Sequence, residues 1–98
     1  MYSVFLTHEF SAWLSGMKDK TTRRRLAARL RKASLGNLGD VKPVGEGVFE
    51  MREFFGPGWR LYYIRRGDTL IVMLGGGDKS TQTADIARAI ERAATLEE

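Results

Sequence analysis

The stretch VFEMREFFGPGWRLYYIRRGDTLIVMLG, residues 48–75, decides the fold. VFEMREFF (48–55) alternates as a strand, FGPGW turns it, and WRLYYIR (59–65) forms a second strand. The Arg66-Gly67-Asp68 turn leads into TLIVMLG (69–75), which is apolar on both faces and therefore reads as a central strand. Short hairpin connections make these three strands antiparallel. Register follows from charge. With cross-strand partners whose numbers sum to an even value, Phe49 and Met51 share a face with Leu61 and Tyr63. Glu50 and Arg52 then share the other face with Arg60 and Tyr62. A slip of one residue would set Arg52 among the apolar side chains.

The flanking segments complete the plan. YSVFL (2–6) has the β-propensity of a short strand, and Thr7 can cap the helix that follows. Phe10, Trp13, Leu14 and Met17 fall at helical spacing on one stripe, and Gly16 ends that helix. A second helix runs from near Thr21 to Gly36 with an apolar stripe of Leu26, Leu30 and Ala33. GNLGDVKPVGEG (36–47) reads as a glycine-rich loop. Residues 80–94 form a last helix with Ile86, Ile90 and Ala93 on its inner stripe. The expected order is β-α-α-β-β-β-α in one domain, residues 1–98. This is an α+β fold, a mostly antiparallel sheet with helices packed on one face.

Composition narrows the function classes. The chain has no cysteine and a single histidine, His8, which excludes thiolate metal sites and His-pair acid–base chemistry. No metal or other cofactor is expected. No apolar run approaches the roughly 20 residues of a membrane span. The start, MYSVFLTHEF, carries no basic n-region or cleavage pattern, so no signal peptide and a cytoplasmic location are expected. The net charge is +4 and unevenly placed. Lys18, Lys20, Arg23, Arg24, Arg25, Arg29, Arg31 and Lys32 stand against one acid, Asp19, while the tail from Asp85 carries Asp85, Glu91, Glu97 and Glu98. A basic block of this kind suits either a polyanion partner or a solvated helix face.

LIVMLGGGDKSTQTADI, residues 70–86, resembles the strand–glycine loop–Lys-Ser–helix plan of a nucleotide-binding loop. The spacing excludes that assignment. Glycine is required immediately before the lysine and five residues earlier, where Asp78 and Met73 stand. A turn from a buried strand into the last helix explains the glycines, with Asp78 or Ser80 as a cap. Lys79 is left over by that explanation.

The middle hairpin supplies its company. Arg52, Arg60 and Tyr62 are expected on the sheet face opposite the core, with Lys79 just past the central strand and Lys42 in the loop entering the hairpin. Two arginines can hold a phosphodiester through bidentate hydrogen bonds, and a tyrosine can stack on a base or donate a proton. A set of Arg, Lys and Tyr suits RNA cleavage, in which the 2′-OH is the nucleophile and cations stabilise the phosphorane. Paired-carboxylate hydrolysis fits poorly, because Glu50 and Glu53 face opposite sides of their strand.

Four motifs stand in order: GDVKPVGEGV (39–48), E-x-R (50–52), GPGWRLYY (56–63) and GGDKSTQ (76–82). Together they resemble the small toxins of type II toxin–antitoxin modules, closest to the HigB-like branch of the RelE/ParE superfamily. The resemblance implies a RelE-like fold and a ribosome-dependent endoribonuclease that cuts mRNA and inhibits translation. It implies a cognate antitoxin, in this branch usually a helix-turn-helix protein, and a toxin–antitoxin hetero-oligomer. By motif, Arg60, Arg52 and Lys79 take phosphate-stabilising roles, and Tyr62 or Lys79 the general base. Lys42, Arg23, Arg24, Arg25, Arg29 and Lys32 would contact RNA or the ribosome. A ParE-like gyrase inhibitor and an inactive antitoxin-binding homologue are the alternatives on the same fold.

Overall fold

The computed structural model describes residues 1–96; Glu97 and Glu98 of the acidic tail lie outside the described residues. A five-stranded sheet carries three helices. The strands are β1 (Ser3–Leu6), β2 (Val41–Gly45), β3 (Val48–Glu53), β4 (Trp59–Arg66) and β5 (Leu70–Asp78). The helices are α1 (His8–Ser15), α2 (Lys20–Ser34) and α3 (Gln82–Thr95). The spatial order is β1-β5-β4-β3-β2. β1 runs parallel to β5, and the other neighbours are antiparallel. The hairpin register is the even one: Phe49 lies opposite Tyr63, Met51 opposite Leu61 and Arg52 opposite Arg60.

Local chemistry places the helices where the sequence puts them. The Thr7 hydroxyl accepts a hydrogen bond from the Phe10 amide at 3.2 Å and donates to the Met73 carbonyl at 2.7 Å. One side chain thus caps α1 and ties it to β5. Asp19 caps α2 through the Thr21 amide. Phe10, Leu26, Leu30 and Ala33 pack on Met51, Leu61, Tyr63, Ile71 and Met73, forming the core on one sheet face.

The α+β class is as the sequence implies, but two details differ. Residues 41–45, read as loop, form a fifth strand on the sheet edge. Pro43 is tolerated there because an edge strand needs no ladder donor on its outer side. The helices also do not share one face. α1 and α2 cover one side, whereas α3 closes the other, its Ala89 and Ile86 packing with Val48, Tyr62, Ile64, Val72 and Leu74. A second apolar set exists on the sheet, and burying it requires a second cover.

The three glycines of β5 make both covers possible. They are not a turn: β5 continues through them to Asp78. A Cβ on Gly76 would lie 2.5 Å from the Trp13 ring of α1, and one on Gly75 would lie 2.6 Å from the Arg92 guanidinium of α3. A Cβ on Gly77 would collide with the Asp85 carboxylate. The strand is stripped of side chains where α1 and α3 approach it from opposite sides. Beyond Gly77, Asp78 accepts from the Ser80 amide at 2.8 Å and caps a single 3-10 turn, Lys79–Thr81, that leads into α3.

Candidate nucleic-acid interface

Arg52 and Arg60 form a directly opposed pair on β3 and β4, on the face that α3 covers. Their surroundings differ. Arg52 is half-buried and makes two hydrogen bonds to the Asp40 carboxylate, at 3.2 and 3.3 Å. Arg60 is only 5% exposed. Its guanidinium donates to the Trp59 and Glu53 carbonyls at 3.1 and 3.4 Å and lies 3.8 Å from the Glu50 carboxylate. Lys79 is exposed on the 3-10 turn. The link between the two cations is Gly58, held at φ +84° in the hairpin turn. A Cβ there would sit 3.6 Å from the Arg60 Nη1 and 3.5 Å from the Lys79 Cβ, so the two side chains flank the same turn residue.

Phe54 also belongs to this cluster, although the sequence reading does not single it out. Its ring is 69% exposed. The guanidinium carbons of Arg52 and Arg60 lie 5.6 and 5.7 Å from its centroid. The signal was present in the alternation of VFEMREFF, which sets Phe54 on the face of Glu50 and Arg52. An aromatic at the end of a charged face, with no apolar neighbour to cover it, is the feature to look for.

Tyr62 does not stand on an open face, as the sequence reading expects. It is completely buried under α3, and among the described residues its hydroxyl has no hydrogen-bond partner. Burial, reinforced by the Glu50 and Asp85 carboxylates, pushes its pKa well above the ordinary tyrosine value. A hydroxyl so placed neither reaches a ligand nor ionises near neutrality, so Tyr62 is a core residue of the α3 contact. Glu50 is likewise buried, accepting a 2.9 Å hydrogen bond from Gln82 of α3. Lys42 lies on the outer strand β2, opposite Glu50 and exposed, two register positions from the Arg52–Arg60 pair.

The basic residues of α2 divide in the same way. Arg29 is 8% exposed and serves the fold. Its guanidinium donates to the carbonyls of Leu38, Asp40 and Arg52 at 2.8–3.3 Å and pairs with Glu53. It pins α2 to the loop before β2 and to the end of β3, and has no donor edge left for RNA. Arg25 stacks on the Phe55 ring at 3.7 Å. Arg23 reaches the Ser15 carbonyl at 3.4 Å. Arg24 and Lys32 are exposed. Of the cations of α2, Arg25 is thereby carried beside the β3–β4 turn that presents Phe54.

A separate cleft of about 410 Å³ opens over Gly75–Asp78, where β5 outruns β1. Trp13 and Trp59 line one wall, and Asp85, Arg88 and Arg92 of α3 the other. Its charges are mixed, whereas the Phe54 ring is flanked by two arginines, Arg52 paired with Asp40 and Arg60 beside Glu50.

Similarity to known proteins agrees with this picture. Residues 12–97 match the family described as phage-derived protein Gp49-like (DUF891). The chain is also 41% identical over 83 residues to an uncharacterized protein of Haemophilus influenzae, covering 85% of this chain and 84% of that relative. The chain belongs to the phage-derived Gp49-like family, a family of RelE-like toxins.

Proposed function

We propose that the protein is the toxin of a type II toxin–antitoxin pair and acts as a ribosome-dependent mRNA endoribonuclease. The observation that carries this reading is the opposed Arg52–Arg60 pair beside the exposed Phe54 ring, with Lys79 next to Arg60 across Gly58. Neighbouring cations suit a phosphodiester that gains charge in its transition state. The 2′-oxygen of the RNA attacks the adjacent phosphorus, the bond to the 5′-oxygen breaks, and the products are a 2′,3′-cyclic phosphate and a 5′-hydroxyl. In this scheme Lys79 and Arg52 approach the phosphate from the solvent side. Arg60, 5% exposed and beside Glu50, contributes its charge from within the fold next to Phe54. Tyr62 has no part in the proton transfers. Lys79 acts here as a charged ammonium, so removal of the 2′-OH proton and protonation of the departing 5′-oxygen fall to groups that the ribosome supplies.

Membership in a toxin family implies an antitoxin partner, and the motif resemblance makes that partner a helix-turn-helix protein. The accessible face of α2, with Arg24, Arg25 and Lys32, is proposed to dock on ribosomal RNA through phosphate contacts. Among the described residues no helix is long and apolar enough to cross a membrane. The test is induced expression followed by mapping of mRNA 5′ ends. New ends clustered inside translated codons are expected. Intact mRNA accompanied by DNA breaks would overturn the ribonuclease reading in favour of gyrase inhibition, and growth without either lesion would mark an inactive antitoxin-binding homologue.

A further inference from the structure

Two adjacent phenylalanines at the end of β3 are treated differently by the fold. Phe55 is half-buried, and its face is taken by the Arg25 guanidinium at 3.7 Å, a contact distance. Phe54 is 69% exposed. Its two arginines lie at 5.6 and 5.7 Å, inside cation–π range but well outside face contact. Its ring is flanked rather than covered. Leaving a phenylalanine in water forgoes the free energy of burying it, and this ring, one residue past β3 and between two arginines, is placed to be covered by a ligand.

The surroundings state the chemistry of that ligand. Arg52 and Arg60 flank the ring, and Lys79 adjoins Arg60 across Gly58. The ligand must carry repeated negative charge beside a flat apolar face. A single-stranded nucleic acid has both, since every base has a π-face and every linkage a phosphate. A duplex does not fit, because its bases are stacked on one another and closed to a side chain. An apolar peptide segment would desolvate Lys79 and the Arg52–Asp40 pair without supplying any charge of its own.

We propose that Phe54 is a base-stacking platform: an unstacked nucleobase of a single RNA strand lies on its ring while the neighbouring phosphates meet Arg52, Arg60 and Lys79. The proposal rests on the nucleic-acid reading of this site, but not on cleavage. It adds a selectivity for unpaired bases, which the cations alone do not provide.

The experiment uses the whole protein and a fluorescein-labelled 2′-O-methyl RNA strand, which has no nucleophile and so reports binding alone. A second strand carries abasic sites throughout its middle. Phe54→Leu keeps an apolar side chain and removes the π-face, and Phe54→Trp enlarges it. From the usual worth of one base–aromatic stack, Phe54→Leu is expected to weaken binding of the intact strand by roughly fivefold to a hundredfold. Phe54→Trp should bind at least as tightly as the parent. The abasic strand should bind the parent and Phe54→Leu alike, with an unchanged salt slope, because no charge is removed. Equal binding of parent and Phe54→Leu to the intact strand overturns the proposal. So does an equal loss on both strands, or no binding of either strand by the parent. If the antitoxin alone loses affinity for Phe54→Leu, the ring is a protein-docking residue and the proposal fails. Cleavage is read separately: a protein that stacks a base through Phe54 yet cuts nothing would sink the ribonuclease reading and leave this one standing.

Discussion

Arg29 offers the sharpest separation of a folding role from a binding role. Eight basic residues between Lys18 and Lys32 look alike in the sequence, yet Arg29 is 8% exposed and bonded to three backbone carbonyls and the Glu53 carboxylate. Arg29→Met keeps the aliphatic stem and deletes the guanidinium. It leaves the carbonyls of Leu38, Asp40 and Arg52 without that donor and Glu53 without its counter-ion. Breaking a buried ion pair from one side costs about 3–5 kcal/mol. For a domain of this size each kcal/mol lowers the melting temperature by about 4–8 °C, so a fall on the order of 20 °C is expected. Arg29→Lys should recover only part of it, since an ammonium cannot span a fork of acceptors. Urea and thermal unfolding followed by circular dichroism measure the loss. Arg24→Ala is the contrast: its side chain is exposed, so stability should stay within about 0.5 kcal/mol while the salt slope of RNA binding falls by about one contact. A melting temperature for Arg29→Met within about 5 °C of the parent would refute the claim that this residue clamps α2 to the sheet.

Tyr62→Phe removes a buried hydroxyl that has no partner and should stabilise the fold by about 1 kcal/mol, read by urea denaturation, with RNA cleavage unchanged. Because the folded pKa of Tyr62 is raised, its share of stability is full below the unfolded value of 10.0 and is lost as pH rises through the folded value. The variant should therefore lose less stability than the parent above that pH, and matching alkaline slopes would count against the assignment. Gly76→Ala drives a methyl to 2.5 Å from the Trp13 ring and should cost about 1–3 kcal/mol, partly recovered by a second change, Trp13→Leu; no loss would mean α1 does not seat on β5 as described. Asp19 and Asp78 are held below the ordinary aspartate value of 3.8, chiefly by the Thr22 and Ser80 hydroxyls. Depressed carboxylates contribute stability above their unfolded pKa that is lost as pH falls through the folded one. An Asp19→Asn, Asp78→Asn double variant, which keeps both caps, should show a shallower acid transition below about pH 4.

The parts of the fold that were legible in the sequence are those written in periodicity. The Phe49/Met51/Leu61/Tyr63 face follows from alternation, and the Phe10 and Leu26/Leu30/Ala33 stripes from helical spacing. β2 was not legible because Pro43 and Gly45 are turn residues everywhere except on an edge. The covered second face was harder still. Glu50, Arg52 and Arg60 gave it a solvent-like pattern, while Val48, Tyr62 and Ile64 on the same side formed the second apolar set. Only the placement of α3 shows that the polar residues end up paired beneath a helix. The same blindness affects the site. Alternation set Arg52 opposite Arg60, but their exposure depends on Asp40, Glu50 and Gln82, which are brought in from other elements. Gly75–Gly77 looked like a flexible loop because spacing alone does not reveal that Trp13, Asp85 and Arg92 occupy the space their side chains would need.

The most direct test of the ribonuclease account is cleavage of an mRNA on programmed ribosomes by purified parent, Arg60→Ala and Lys79→Ala proteins, each first shown to be folded and to bind the antitoxin. The account predicts cuts within codons by the parent, ending in 2′,3′-cyclic phosphates, and loss of about 100-fold or more in rate when a transition-state cation is removed. Cleavage by Arg60→Ala and Lys79→Ala at the parent's rate would contradict it.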